Sequence, residues 1–363
     1  MDALGPIFTH VQRVHGPVLI AAQPTKGAKG ITFLGEIHRV NGTPAASTHI
    51  LDVIEKYAYA HPSERVVIMI EANKHDIDML SATFATLPSP LKMMANRIKI
   101  KHVRPPNMKL FNANARRDAP FCILEVVYNF ESYAAMHIAE GDSYADNYQL
   151  AWMYAKVFEK ALFNRIKTRA QCIEFMMGLI DPDVNTPAWL LPHLESFGIS
   201  NVENPVKYSL AECKKKNKAL YAAVMRIVND MFLDTVAHNS IFSAALERAN
   251  NTRATASPNM VADRHPTFRT FLIALHAIAM DVYLLANIFE LQESFDHVIV
   301  LAGVNHIINI IEHLPAASFV HAANISGNLG ATDVHKGLKQ FRAAGAFKDL
   351  LHVFLKADNK IRQ

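Results

Sequence analysis

Cysteine is scarce in this chain: three residues of 363, Cys122, Cys172 and Cys213. They are odd in number, far apart and in no CxxC pattern. That spacing argues against a disulfide framework and against a cysteine-based zinc site, and it fits the cytoplasm or another reducing compartment. Glycine and proline are also few, at 14 and 17, as in an ordered globular protein rather than a low-complexity chain. A strong excess of one charge sign is absent, since 37 Lys and Arg face 33 Asp and Glu for a net charge of +4. The longest basic run, "KKK" at 214–216, has no interleaved aromatics and reads as a solvated helix face, so no nucleic-acid partner is expected. There is no P-loop, no GxGxxG and no GxSxG, which leaves nucleotide chemistry and a nucleophile elbow without support.

Long apolar runs are nearly missing too. The one exception is "FLIALHAIAMDVYLLANIF" at 271–289, with His276 and Asp281 near its middle. An Asp at the bilayer centre costs roughly 2.5–3.5 kcal/mol, and no second span pairs with it. A buried helix in a soluble core is expected, with no transmembrane span. The opening "MDALGPIFTHVQRVHG" places an acid at position 2 and Pro and His inside its apolar stretch, which does not read as a signal peptide.

What the chain does contain is a set of short, almost continuous apolar runs. They are "PVLIAA" (17–22), "ITFLG" (31–35), "RVVIMIE" (65–71), "MKLFNA" (108–113), "HVIVLAG" (297–303) and "ASFVHA" (317–322). Such runs suit strands buried on both faces. Between the second and third, Ile50, Ile54, Tyr57 and Ala58 fall at helical spacing after Pro44, so a right-handed βαβ unit with parallel strands is predicted. From 122 to 292 the patterns turn helical, and strands resume near 297. The segment "HKGLKQFRAAGAFKDLLHVFLKADNK" is expected to close the chain with helices. The fold class is therefore α/β: a mostly parallel central sheet flanked by helices, with a large all-helical insertion. Its predicted parts are residues 1–121 and 293–363, the two portions of the α/β domain, and 122–292, the insertion.

Polar residues gather where the apolar runs end. The 31–35 run delivers Glu36 and His38, the 65–70 run Glu71, and the 108–113 run leads to Arg116. The 297–303 run delivers Gly303, Asn305 and His306. In open α/β sheets ligands bind outside the carboxyl ends of the strands. Imidazoles with a carboxylate form an open site for a divalent metal that acidifies bound water, and His38, Glu71 and His306 are the candidate ligands. Glu36 or Glu71 is a candidate general base, and Arg116 a group to hold an anionic substrate or stabilise developing charge. Gly35 and Gly303, with Asn305, are candidate binding positions where the backbone turns and approaches a ligand. A metal-free alternative uses His as base on water with Glu orienting it. Structural readings stand beside these. A His after a strand is often only a hydrogen-bonded residue, and Glu71 could simply favour a helix N-terminus.

"LGEIH", then "IMIE" after the next strand, and "VLAGVNH" near the end resemble the GxxH superfamily. That superfamily spans Tiki and TraB/PrgY proteins, erythromycin esterase and ChaN-like haem-binding lipoproteins. The likeness covers roughly residues 30–80 and 270–310. It implies a mixed α/β fold with its site at the strand ends, His38 and His306 as the motif histidines and Glu36 and Glu71 as the acids. It also implies metal-dependent peptide or ester hydrolysis with Zn, Mn or Co, or else haem binding. The family places an Arg before Asn or Asp ahead of its last motif; here "AMDVYLLANI" keeps Asp281 but has Met280 instead. Three functions thus stand open. One is a hydrolase acting on a small-molecule or peptide substrate. Another is a structural or assembly protein using the helical region for protein partners, and the third is a haem or metal binder. A homo-oligomer is left open as well.

Overall fold

The computed structural model describes residues 6–22, 30–36, 48–71, 105–112, 123–124, 127, 144–166, 169–180, 187–197, 214–215, 218, 221–226, 266–314, 318–323, 332–333 and 339–342. The chain divides into two compact units, Met1–Asn114 with Leu284–Gln363, and Ala115–Tyr283.

The first unit holds a seven-stranded mixed sheet. Its members are β2 (Leu19–Ala22), β3 (Gly30–Glu36), β5 (Val66–Ile70), β6 (Met108–Asn112), β7 (His297–Gly303), β8 (Ser318–Ala323) and β10 (Lys339–Arg342), in the order β10-β8-β2-β3-β7-β5-β6. The pairings β3–β7, β7–β5 and β5–β6 are parallel, and β2–β3, β2–β8 and β8–β10 antiparallel. Thus β3, β5, β6, β7 and β8 point one way, and all six apolar runs are sheet strands. A smaller sheet joins β1 (Arg13–His15) to β4 (Thr48–His49) and β9 (Thr332–Asp333). Between β1 and β2 the chain passes Gly16 at φ 127°, a backbone that glycine adopts without a Cβ penalty. Strand β10 is a correction, because its "KQFR" lies within the stretch expected to be helical. Pairing with β8, Lys339 against His321 through Arg342 against Ser318, overrides local preference at a sheet edge.

Helix α1 (Ile50–Ala60) is the βαβ crossover; the predicted stripe of Ile50, Ile54, Tyr57 and Ala58 is buried, and Leu51 and Val53 are buried with it. His49 caps it by accepting the Leu51 N–H at Nδ1, 3.2 Å away. The register determines which sheet face this helix covers. Leu34, Leu301 and Ile70 align across β3, β7 and β5, as do Ile299 and Ile68. All five belong to one core cluster with the α1 stripe. Side chains alternate along a strand, so Phe33, Gly35, Val300, Ala302 and Met69 lie on the opposite face, the face that α6 (Val304–His313) packs against. An added Cβ at Gly35 would meet Val304 Cγ2 at 2.9 Å and Val304 Cα at 3.1 Å.

The second unit holds α2 (Tyr144–Arg165), α3 (Arg169–Ile180), α4 (Leu191–Ser196) and the start of α5 (Pro266–Ser294). Trp189 stacks with Phe158 and Phe175 at centroid distances of 6.4 and 5.8 Å, and the Arg165 guanidinium lies 4.9 Å from the Trp189 centroid. Burial, then the nearby Arg165 charge, lowers the pKa of His193 in this cluster. Among the described residues no helix is long and apolar enough to cross a membrane.

Candidate active site

The strand that runs into Gly303 becomes helix α6 without a loop. Gly303 itself is the N-cap, at φ −53° and ψ 136°, a conformation any residue adopts. A helix start leaves backbone N–H groups without intrahelical partners. The Gly303 N–H donates to Glu71 Oε2 at 2.7 Å, from the next strand over. Glu71 follows Ile70, and its own N–H donates to the Leu301 carbonyl at 2.9 Å, extending the ladder by one bond. Its other oxygen, Oε1, lies 3.6 Å from His306 Nε2, with side-chain exposures of 18% for His306 and 6% for Glu71. Three sequence-predicted residues, Glu71, Gly303 and His306, therefore meet on the α6 face. Asn305, on the same helical turn, is exposed.

Glu36 is not part of that meeting. It pairs in register with Gly303 and comes two residues after Leu34. Strand alternation therefore places it on the face that α1 covers, while Glu71 serves the α6 face. Glu36 is 1% exposed, and the first turn of α1, which carries Asp52, lies at the same sheet edge. Strand alternation thus assigns the two acids to opposite faces. Gly35, expected at a turn, lies inside β3 instead. Its missing side chain is what lets Val304 approach. His38 and Arg116 lie outside the described residues. Met280 and Asp281 are both 2% exposed within α5.

The divalent-metal set His38, Glu71 and His306 is represented among the described residues by one carboxylate and one imidazole. That pair falls short of the three protein ligands of an open catalytic site. No group of three or more His, Cys, Asp or Glu among the described residues could hold a metal ion. The described site does not fit a metal by itself.

A second polar cluster, at the amino ends of the same strands, was missed from the sequence. Tyr57 Oη donates to Glu64 Oε2. His297 Nε2 lies 2.6 Å from that oxygen and 3.1 Å from Tyr57 Oη. His61 stacks on Tyr57 at 4.2 Å. Burial raises the Tyr57 pKa first, and the hydrogen bond and charge of Glu64 add to it. Partial burial pushes the Glu64 carboxyl up. The hydrogen bonds from Tyr57 and His297, with the charge of His297 and His61, outweigh that and hold it below its ordinary value. The only sequence signal was a His opening an apolar run, and its partners lie 233 and 240 positions away.

Comparison with family models, with curated proteins and with solved structures returned no match.

Proposed function

We propose that the α6 face of the strand ends is a hydrolytic site for ester or amide bonds in a GxxH-type fold. In this reading His306 is the general base and Glu71 the residue that orients it. The observation that carries this is the double engagement of Glu71, by Oε2 on Gly303 N–H and by Oε1 beside His306. A neutral imidazole takes a proton from water as the water oxygen attacks the carbonyl carbon. The imidazolium then forms next to a carboxylate already fixed at 3.6 Å, and the proton is returned to the leaving group as the C–O or C–N bond breaks. The metal form of this reading adds His38 as a third ligand beside Glu71 and His306.

One observation favours a non-catalytic reading. The Gly303–Glu71 bond caps α6 and accounts for the burial of Glu71 without any substrate. A single experiment separates the two: hydrolysis of ester and peptide panels by the full chain, with and without Zn, Mn or Co, beside His306→Ala. The hydrolytic reading expects kcat/KM to fall by about 100-fold or more in the variant, which stays folded by circular dichroism. No turnover by the wild type under any of these conditions would sink it and leave the structural reading. A Soret band in the purified protein would move the assignment to a haem binder.

A further inference from the structure

We propose that Gly35 is a positioning residue of the Glu71–His306 site. By carrying no side chain it lets the first turn of α6 settle on β3 at the depth where Gly303 and His306 both reach Glu71. The effect on catalysis rests on the hydrolytic reading of this site. The backbone does not demand glycine at position 35. Among the described glycines only Gly16 has a positive φ, and Gly35 pairs in register with Leu19 on β2 and Ala302 on β7. A glycine inside a strand costs stability and often marks a close backbone approach. Here the approach is to Val304. An added Cβ would stand 2.9 Å from Val304 Cγ2, 3.1 Å from Val304 Cα and 3.2 Å from Leu19 Cβ, where carbon atoms prefer roughly 3.5–4.0 Å. Turning the Val304 side chain relieves only the first of these contacts, so backbone has to move.

Packing decides which backbone moves. Strand β3 is held between β2 and β7, and the body of α6 is held by Ile307, Ile310 and Ile311, all fully buried. The displacement therefore falls on the first turn of α6. That turn brings both partners to Glu71, the Gly303 N–H at 2.7 Å and His306 Nε2 at 3.6 Å. Glu71 itself follows β5, on the other side of β7 from β3, and does not travel with the turn. A methyl group at position 35 thus separates Glu71 from its partners, and a misplacement on the order of 1 Å in a catalytic arrangement costs about 100-fold in rate.

The test compares four forms of the full chain: wild type, Gly35→Ala, Val304→Ala and the two changes together. Hydrolysis of para-nitrophenyl butyrate is measured at a temperature where each form is folded. Gly35→Ala should lower kcat by at least about tenfold while KM stays within about twofold. Val304→Ala removes the closest contact, so the double variant should recover kcat to within about threefold of Val304→Ala alone. A lower Tm with kcat unchanged makes Gly35 a packing residue only and overturns the proposal. So does a double variant no better than Gly35→Ala. A second readout needs no turnover. The change in the Gly303 amide proton shift on Glu71→Gln reports the bond between them, and it should shrink by about half or more in the Gly35→Ala background. An undiminished change overturns the proposal. If the wild type hydrolyses nothing, the hydrolytic reading falls, and this amide comparison alone decides the positioning. If Gly35→Ala fails to fold, the double variant replaces it, set against Val304→Ala, because its added Cβ still meets Val304 Cα at 3.1 Å; an undiminished amide response there overturns the proposal equally.

Discussion

Glu36 and Glu71 stand at the ends of strands that flank β7, yet they face opposite sides of the sheet. Glu36 continues the row of Leu34, which packs on α1. Glu71 reaches the N-terminus of α6 through its bond to Gly303. Two acids that look like a pair along the chain therefore work in separate surroundings.

Independence is measurable. Sites without shared partners add, and sites in contact couple. Glu36→Gln and Glu71→Gln should have stability effects that sum to within about 0.5 kcal/mol in urea titrations. Glu71→Gln and His306→Ala should depart from additivity by about 0.5–3 kcal/mol. Coupling of the first pair as strong as that of the second would refute the opposite-face placement.

Gly35 and Gly30 make a matched comparison on one strand. A Cβ at Gly35 would lie 2.9 Å from Val304 Cγ2 and 3.2 Å from Leu19 Cβ, whereas among the described residues one at Gly30 meets only His297 Nδ1, at 3.5 Å. Gly35→Ala should cost about 1–3 kcal/mol by pushing α6 off the sheet. Gly30→Ala should stay within about 0.5 kcal/mol. Similar midpoints for the two variants in chemical denaturation would contradict this packing.

The amino-edge cluster should shape stability at both pH extremes. The carboxyl of Glu64 is held below its ordinary 4.5. Its contribution is complete above that value and is lost as pH falls through the lower folded value. Tyr57 is raised above its ordinary 10.0 by burial and by Glu64, so its contribution is complete below 10 and declines as pH rises beyond it. Relative to Glu64→Gln, the wild type should lose its Tm advantage in acid. Relative to Tyr57→Phe, it should lose it in strong alkali. A flat difference across either range would remove that group from the cluster's energetics.

Tyr57→Phe at neutral pH should cost about 1 kcal/mol, the net worth of one ordinary hydrogen bond. The phenol bridges Glu64 and His297, and ring stacking with His61 survives the change. A larger loss in a His297→Gln background than in the wild type would show that the two groups substitute for each other rather than act together.

Much of this architecture was legible because hydrophobicity reports burial locally. The six apolar runs are strands of the sheet and the Ile50–Ala58 stripe is the crossover helix, since a strand buried on both faces or a one-sided helix must declare itself in composition. The two- and three-residue strands β1, β4 and β9 are too short to carry a period. "KQFR" became β10 only because β8 offered an edge. For the site, the chain alone determined that Glu71, Gly303 and His306 would arrive at strand ends, because Glu71 and Gly303 close apolar runs and His306 comes three residues after Gly303. Only the tertiary structure decided that Glu36 turns away from them, that Val304 fills the space at Gly35, and that His297 meets Tyr57 and Glu64. Those outcomes depend on strand register and on which helix covers which face. Both are properties of pairings between distant segments, and a shift of one residue in any of them would exchange the faces.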